Sequence, residues 1–209
     1  MSEHEAYIGS SKCTNSTIID LNSLSRETTF SNEVTSDEPY ITLRNLRSNN
    51  NNRLIICHLN INSIRNKFEP LKSLIKDNCD VILISESKLD SSFPSHQFDI
   101  DGFCTPFRMD RNSRGGGVLL YVRDDIPCKL LKKHTLPSNV ECLFIELNLR
   151  KYRWVLAGGY NPTKDNISYF LKHVGKSLDN YLGNYDNLLL LGDFNSVITE
   201  EAMCDFCEP

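Results

Sequence analysis

The sequence predicts an α/β fold, a layered α/β sandwich in which two packed mixed sheets are flanked by helices. Three observations carry this. A strand-helix-strand unit opens the apolar part of the chain, three strand candidates separated by turn signals follow it, and a helix and a four-leucine strand come last. Crossover units place strands parallel, whereas strands joined by short turns pair antiparallel, so both pairings have to coexist. A plain doubly wound parallel sheet is the alternative.

With 209 residues and 40% hydrophobic content, the chain can bury one sizeable core. Residues 1 to 52 are rich in Ser, Thr, Asn and Glu and end in "SNNNN". Their few apolar side chains cannot offset the entropy of ordering, which predicts a disordered or weakly ordered polar leader, with "YITLRNL" as a possible short strand. The domain is expected over residues 53 to 209.

From Arg53 the texture changes. "RLIICHLN" has strand length, and "SIRNKFEPLKSLIKDN" places Ile64, Phe68, Leu71, Leu74 and Ile75 on one helical face, with Pro70 marking a kink or a second start. "DVILISES" reads as a second buried strand. After a loop-rich stretch come "GGVLLYVR", "VECLFIEL" and "YRWVLAGGY", expected to pair antiparallel. "DNISYFLKHVGKSLDNYLG" repeats apolar residues at helical spacing and stops at Gly183, and "NLLLLGDFN" is the final strand.

Composition excludes some classes. No apolar run reaches the roughly eighteen residues of a membrane span, and the N-terminus lacks a secretory pattern, so a soluble intracellular chain is expected. The formal charge is −4, yet residues 53 to 192 hold 19 Lys and Arg against 15 Asp and Glu, a mildly basic domain. Of the eight cysteines, Cys57, Cys79, Cys104, Cys128 and Cys142 lie singly among apolar residues and read as reduced thiols. Cys204 and Cys207 form a C-x-x-C without a second pair, which reads as chance spacing.

Four of the strands release polar groups at their carboxyl ends: Asn60 and Asn62, Glu86 and Lys88, Tyr160 and Asn161, Asp193 and Asn195. Any one of these is most simply a turn. Together they place acids, amides and a phenol on the rim where α/β folds bind ligands. Two carboxylates with amides beside them suit Mg²⁺ or Mn²⁺, which take oxygen ligands and keep waters for substrate phosphate, and so point to phosphodiester attack by water. Histidines are assigned nothing; His58 reads as a core or edge residue.

These motifs, "HLNINSIRNKF", "SESKL", "GGYNP" and "LGDFN", resemble in order the endonuclease/exonuclease/phosphatase superfamily. With "RGGGVLLYVR" they look most like the apurinic-type endonuclease domain of non-LTR (LINE-type) retrotransposons. The resemblance implies an enzyme that nicks target DNA to prime reverse transcription, a DNA partner, Mg²⁺ or Mn²⁺ with no other small-molecule cofactor, no membrane association and a nuclear location. It implies Glu86 as the principal metal ligand, with Asn62 where DNA-repair relatives have an acid, and Lys88 steadying the cluster. Asp193 would orient or deprotonate the attacking water, Asn195 would hold water or phosphate, and Asn60 and Tyr160 would contact phosphate oxygens. Arg108, Arg111 and Arg114 would track a DNA backbone, or else form only a solvated loop face. Gly115 to Gly117 are expected to form a tight turn needing positive φ.

The family's second half, with a further aspartate and a final Ser-Asp-His-type motif, has no match after Asn195. The sandwich is therefore expected to be incomplete at its C-terminus and the enzyme impaired. Other readings are a superfamily phosphodiesterase or phosphatase acting on lipid, inositol phosphate or RNA, and a non-catalytic transposon-derived fragment.

Overall fold

A computed structural model describes residues 7–8, 38–131, 136–163, 167–181 and 183–196 of the chain. The strands are β1 (Tyr7–Ile8), β2 (Ile56–Asn60), β3 (Val81–Ser85), β4 (Phe107–Met109), β5 (Val118–Val122), β6 (Cys128–Leu130), β7 (Glu141–Leu149), β8 (Tyr152–Tyr160) and β9 (Asn187–Asp193). The helices are α1 (Glu38–Asn49), α2 (Phe68–Ile75) and α3 (Ile167–Leu178). One sheet runs β1-β9-β8-β7-β6 and the other β2-β3-β5-β4. Both are mixed. β2 and β3 are parallel, as are β8 and β9, while β3 with β5 and β7 with β8 are antiparallel.

Alternation along each strand divides the core into three layers. Val81, Leu83, Val118, Leu120 and Val122 of one sheet meet Leu143, Ile145, Leu147 and Leu156 of the other. The opposite face of the first sheet, Ile82, Ile84, Leu119 and Tyr121, packs with Leu71, Leu74 and Ile75 of α2. The opposite face of the second, Cys142, Phe144, Val155 and Ala157, packs with Phe170, Leu171, Val174 and Leu178 of α3. The order is helix, sheet, sheet, helix.

Three sequence expectations change here. β5 does not join β7 and β8. All five of its residues are buried, so it takes a central place between β3 and β4, where both faces are covered. Pro70 neither kinks nor restarts a helix, because α2 begins at Phe68 and Pro70 falls in the first turn, where a missing N–H costs nothing. Within the leader, Glu38–Asn49 is helical and buries Leu43, and Tyr7–Ile8 pairs with Leu189 and Leu190. That helix depends on a distant acid. Arg47 Nη2 lies 2.6 Å from Asp80 Oδ2, Arg123 Nη1 lies 2.6 Å from Asp80 Oδ1, and the Ile55 N–H donates to Asp80 at 2.7 Å. The five cysteines among the described residues are free thiols. The "CDFC" segment lies outside the described residues, as do Glu200, Glu201 and Met203.

Two outcomes follow from the buried acids. Asp80 is 2% exposed, and Asp80→Ala leaves the Arg47 guanidinium and the Ile55 N–H without their carboxylate, while Arg123 keeps Asp125. It should cost about 3–5 kcal/mol in urea unfolding and detach α1 first, read by amide exchange. Burial alone would raise the Glu146 carboxyl, but hydrogen bonds from Tyr185, Lys129, Arg153 and Asn148 outweigh it and hold the group at about 2. A folded-state value below the ordinary 4.5 stabilises the protein above that range and ceases to do so as pH falls through about 2. Glu146→Gln should therefore lower Tm at pH 7, with the gap to the parent closing as pH approaches 2.

Candidate active site

Because β2 and β3 run parallel in one sheet and β8 and β9 in the other, their carboxyl ends form a common rim. Tyr160 and Asp193 are register partners, and Asn60 is paired with Ser85, the residue before Glu86. The Asn60 amide nitrogen donates to Glu86 Oε1 at 2.9 Å and to Asp193 Oδ2 at 2.8 Å, joining the two sheets through their carboxylates. The Tyr160 hydroxyl donates to Glu86 Oε1 at 2.9 Å. The Asn62 N–H donates to Asn60 Oδ1 at 3.1 Å, which sets the amide so that its nitrogen faces the acids.

The other Glu86 oxygen, Oε2, lies 3.7 Å from the Lys88 ammonium, which also donates a short hydrogen bond to Asn62 Oδ1. On the second sheet, the Asn195 N–H donates to Asp193 Oδ1 at 3.0 Å, and the Asn161 N–H to the Asp193 carbonyl at 2.9 Å. Asn62, Glu86, Lys88 and Asn195 all have left-handed backbones, with φ of 45°, 55°, 53° and 49°. Non-glycine residues hold such conformations only where surrounding contacts impose them, and such positions cluster at functional sites.

Electrostatics keep the acid charged. Burial would raise the Glu86 carboxyl, but hydrogen bonds from Asn60 and Tyr160 and the charges of Lys88 and Arg111 bring it below its ordinary value. The Tyr160 phenol is pushed up by burial and by Glu86 and Asp193, so it remains a donor. His58 is lowered to about 4 by burial, partly offset by Asp193, and its Nε2 lies 3.0 Å from Ser85 Oγ.

The eight polar residues singled out at the strand ends thus meet, with altered detail. Asn60 and Tyr160, expected at phosphate, direct their donors to the carboxylates. Asn195 directs an amide N–H to the Asn161 carbonyl at 2.9 Å. Of the three arginines, Arg108 is no solvated loop face: its side chain is 10% exposed and bonds Phe93 O, Ser95, Asp90 O and Asp110, tying that loop to β4. Arg111 pairs with Glu141 at 2.8 Å, and Arg114 is exposed.

Glu141 is the residue that sequence reasoning passed over. It opens β7 opposite Tyr160, has a side chain only 4% exposed and accepts the Gly117 N–H at 2.5 Å. The Arg111 contact is an ion pair without an aligned hydrogen bond to Oε1. Burial raises the Glu141 carboxyl, opposed by the Gly117 N–H and Arg111. A single acid at the start of an apolar strand carries no signal of this in sequence.

Among the described residues no group of three or more His, Cys, Asp or Glu could hold a metal ion. The oxygen set of Glu86, Asn62 and Asp193 nonetheless suits a hard divalent cation, which binds through one or two carboxylates and completes its shell with water and phosphate. Glu86 and Asn62 already share one cation, the Lys88 ammonium.

The sequence profile of the Endonuclease/Exonuclease/phosphatase family matches residues 57–209, and the chain belongs to that family. A search of curated proteins returned no match. Similar solved structures include a humanized D. rerio TDP2 carrying 14 mutations, at 15% identity over 73% of this chain and 69% of that one, with a TM-score of 0.52. The 3′ phosphatase NExo from Neisseria bound to product DNA hairpin is 18% identical over 71% of this chain and 60% of that one, TM-score 0.49. The endonuclease domain of TRAS1, a telomere-specific non-LTR retrotransposon, is 15% identical over 68% and 57%, TM-score 0.47. The chain covers less than two thirds of the latter two.

The turn beside Glu86 leaves no room for a side chain. Gly117 has φ +88°, and a Cβ there would stand 2.4 Å from Ser87 Oγ. Gly117→Ala should cost about 1–3 kcal/mol in urea unfolding. Gly102→Ala, equally left-handed but with nothing within 4 Å, should show the backbone cost alone.

Proposed function

We propose that the domain is a metal-dependent DNA endonuclease of the non-LTR retrotransposon kind, which hydrolyses one phosphodiester of target DNA so that reverse transcription is primed from the free end. The observation that carries this reading is the Asn60 amide between Glu86 and Asp193. It holds two acids, one from each sheet, close together, as a site for water attack on a phosphodiester requires. Family membership supports a phosphodiesterase or nuclease. DNA as substrate, Mg²⁺ or Mn²⁺ as cofactor, and work in the nucleus belong to the proposal.

Glu86 would hold the cation, joined by Asn62 once the Lys88 ammonium turns aside. When bound, the cation polarises a phosphoryl oxygen and lowers the pKa of water. Tyr160 fixes Glu86 Oε1 and so leaves Oε2 for the ligand. Asp193, held by Asn60 and by the Asn195 N–H, takes the proton of the attacking water at Oδ2. The Lys88 ammonium, 3.7 Å from Glu86 Oε2, would meet phosphate charge once it turns aside. Exposed Arg114 supplies a backbone contact on the loop before β5.

A supercoiled-plasmid nicking assay with Mg²⁺ checks this. Glu86→Gln and Asp193→Asn should each lower the rate by roughly 10²- to 10⁴-fold relative to the parent, with the ratio as the readout. Nicking that persists unchanged in both variants, or steady hydrolysis of a lipid or inositol phosphate without DNA cleavage, would refute the proposal.

A further inference from the structure

We infer that Glu141 is a positioning residue that fixes Glu86 for its cation through the backbone of the Gly115–Gly117 turn, with Arg111 as its counter-ion. This rests on the reading of Glu86 as the cation-binding acid. The Glu86 turn is clamped between two backbone segments. On one side the Ser63 N–H donates to the Glu86 carbonyl at 2.8 Å and the Ile64 N–H to the Ser87 carbonyl at 3.1 Å. On the other, the Ser87 N–H donates to the Gly117 carbonyl at 3.1 Å and the Lys88 N–H to the Gly116 carbonyl at 2.9 Å.

The first side belongs to the segment between β2 and α2, whose turn continues into the helix. The second is a glycine turn with no side chains of its own, and it is held by Glu141. The carboxylate accepts the Gly117 N–H, while Arg111, its ion-pair partner, donates through Nε to the Gly115 carbonyl at 3.0 Å. Both ends of the turn are thereby tied to one buried acid. Since Glu141 and Tyr160 are cross-strand partners, a single residue pair of the β7–β8 hairpin governs Glu86 twice. Tyr160 fixes its carboxylate, and Glu141 fixes its backbone.

A buried carboxylate with one aligned hydrogen bond and one partly exposed counter-ion is a costly way to begin a strand. An apolar residue would fill the site more cheaply, but would leave the Gly117 N–H buried without an acceptor and the turn free to shift. Residues that orient a ligand in this way typically account for about 10–100-fold in metal affinity.

The test uses the full 209-residue chain. Mn²⁺ binding is measured by titration calorimetry, amide exchange of Ser87 and Lys88 by NMR without metal, and Tm by calorimetry, for the parent, Glu141→Gln, Arg111→Met and Asp80→Asn. Glu141→Gln should weaken Mn²⁺ by about 10–100-fold and speed exchange of both amides by about tenfold, with Arg111→Met in the same direction. Asp80→Asn, which loosens a buried cluster remote from the turn, should lower Tm at least as far while leaving Mn²⁺ affinity and both amides at parental values. Parental Mn²⁺ affinity in Glu141→Gln overturns the inference, whatever its Tm. A parent that binds no Mn²⁺ removes the cation reading of Glu86. Exchange then decides the bracing role alone, faster amides supporting it and unchanged amides overturning it.

Discussion

The site depends on one amide. Asn60 stands at the end of β2 in one sheet and donates both to Glu86, from its neighbouring strand, and to Asp193, from the facing sheet. A neutral group with two N–H donors serves both carboxylates at once without adding a charge. The distance it spans is set by the packing of Val81, Leu83, Val118 and Leu120 on Leu143, Ile145 and Leu156, so the sheet-to-sheet core is also the ruler of the site.

The rim is stiff for a reason visible in its backbone. Asn62, Glu86, Lys88 and Asn195 leave their strands in left-handed conformations, which turn the chain abruptly and keep side chains at the strand tips. Each costs conformational energy that neighbouring hydrogen bonds have to offset. Around Glu86 those bonds come from the segment between β2 and α2 and from the glycine turn before β5. The second is secured by Glu141 and Arg111, and by the Gly115 N–H on the Asn112 carbonyl. Layers far apart in sequence thus converge on one acid, and the stability of the turn is bound up with its readiness for a ligand.

How far the sequence could be read depended on the range of the interaction. The strand ends were legible because a change from apolar to polar residues is local, and two packed sheets flanked by helices followed from a crossover unit and turn-joined strands in one chain. The pairing of β5 was not, since an apolar run does not say which sheet it joins. Arg108 looked like a DNA contact because a loop arginine is ordinarily exposed, yet its partners Phe93, Ser95 and Asp90 come from a loop folded back beneath it. The ordering of α1 was hidden for a like reason. Its anchor is Asp80, 33 residues from Arg47.

By itself the sequence determined the α/β class, six of the nine described strands and which residues stand at the carboxyl ends of four of them, because these follow from periodicity and from local switches in polarity. Only the tertiary structure decided that Asn60 joins Glu86 of its own sheet to Asp193, 133 residues further along the chain, that Lys88 occupies the space between Glu86 and Asn62, and that Glu141 lies beneath the glycine turn. Hydrogen bonds have direction and short reach. Which donor meets which acceptor is settled by the packing of the sheets, and that packing is a property of the whole chain.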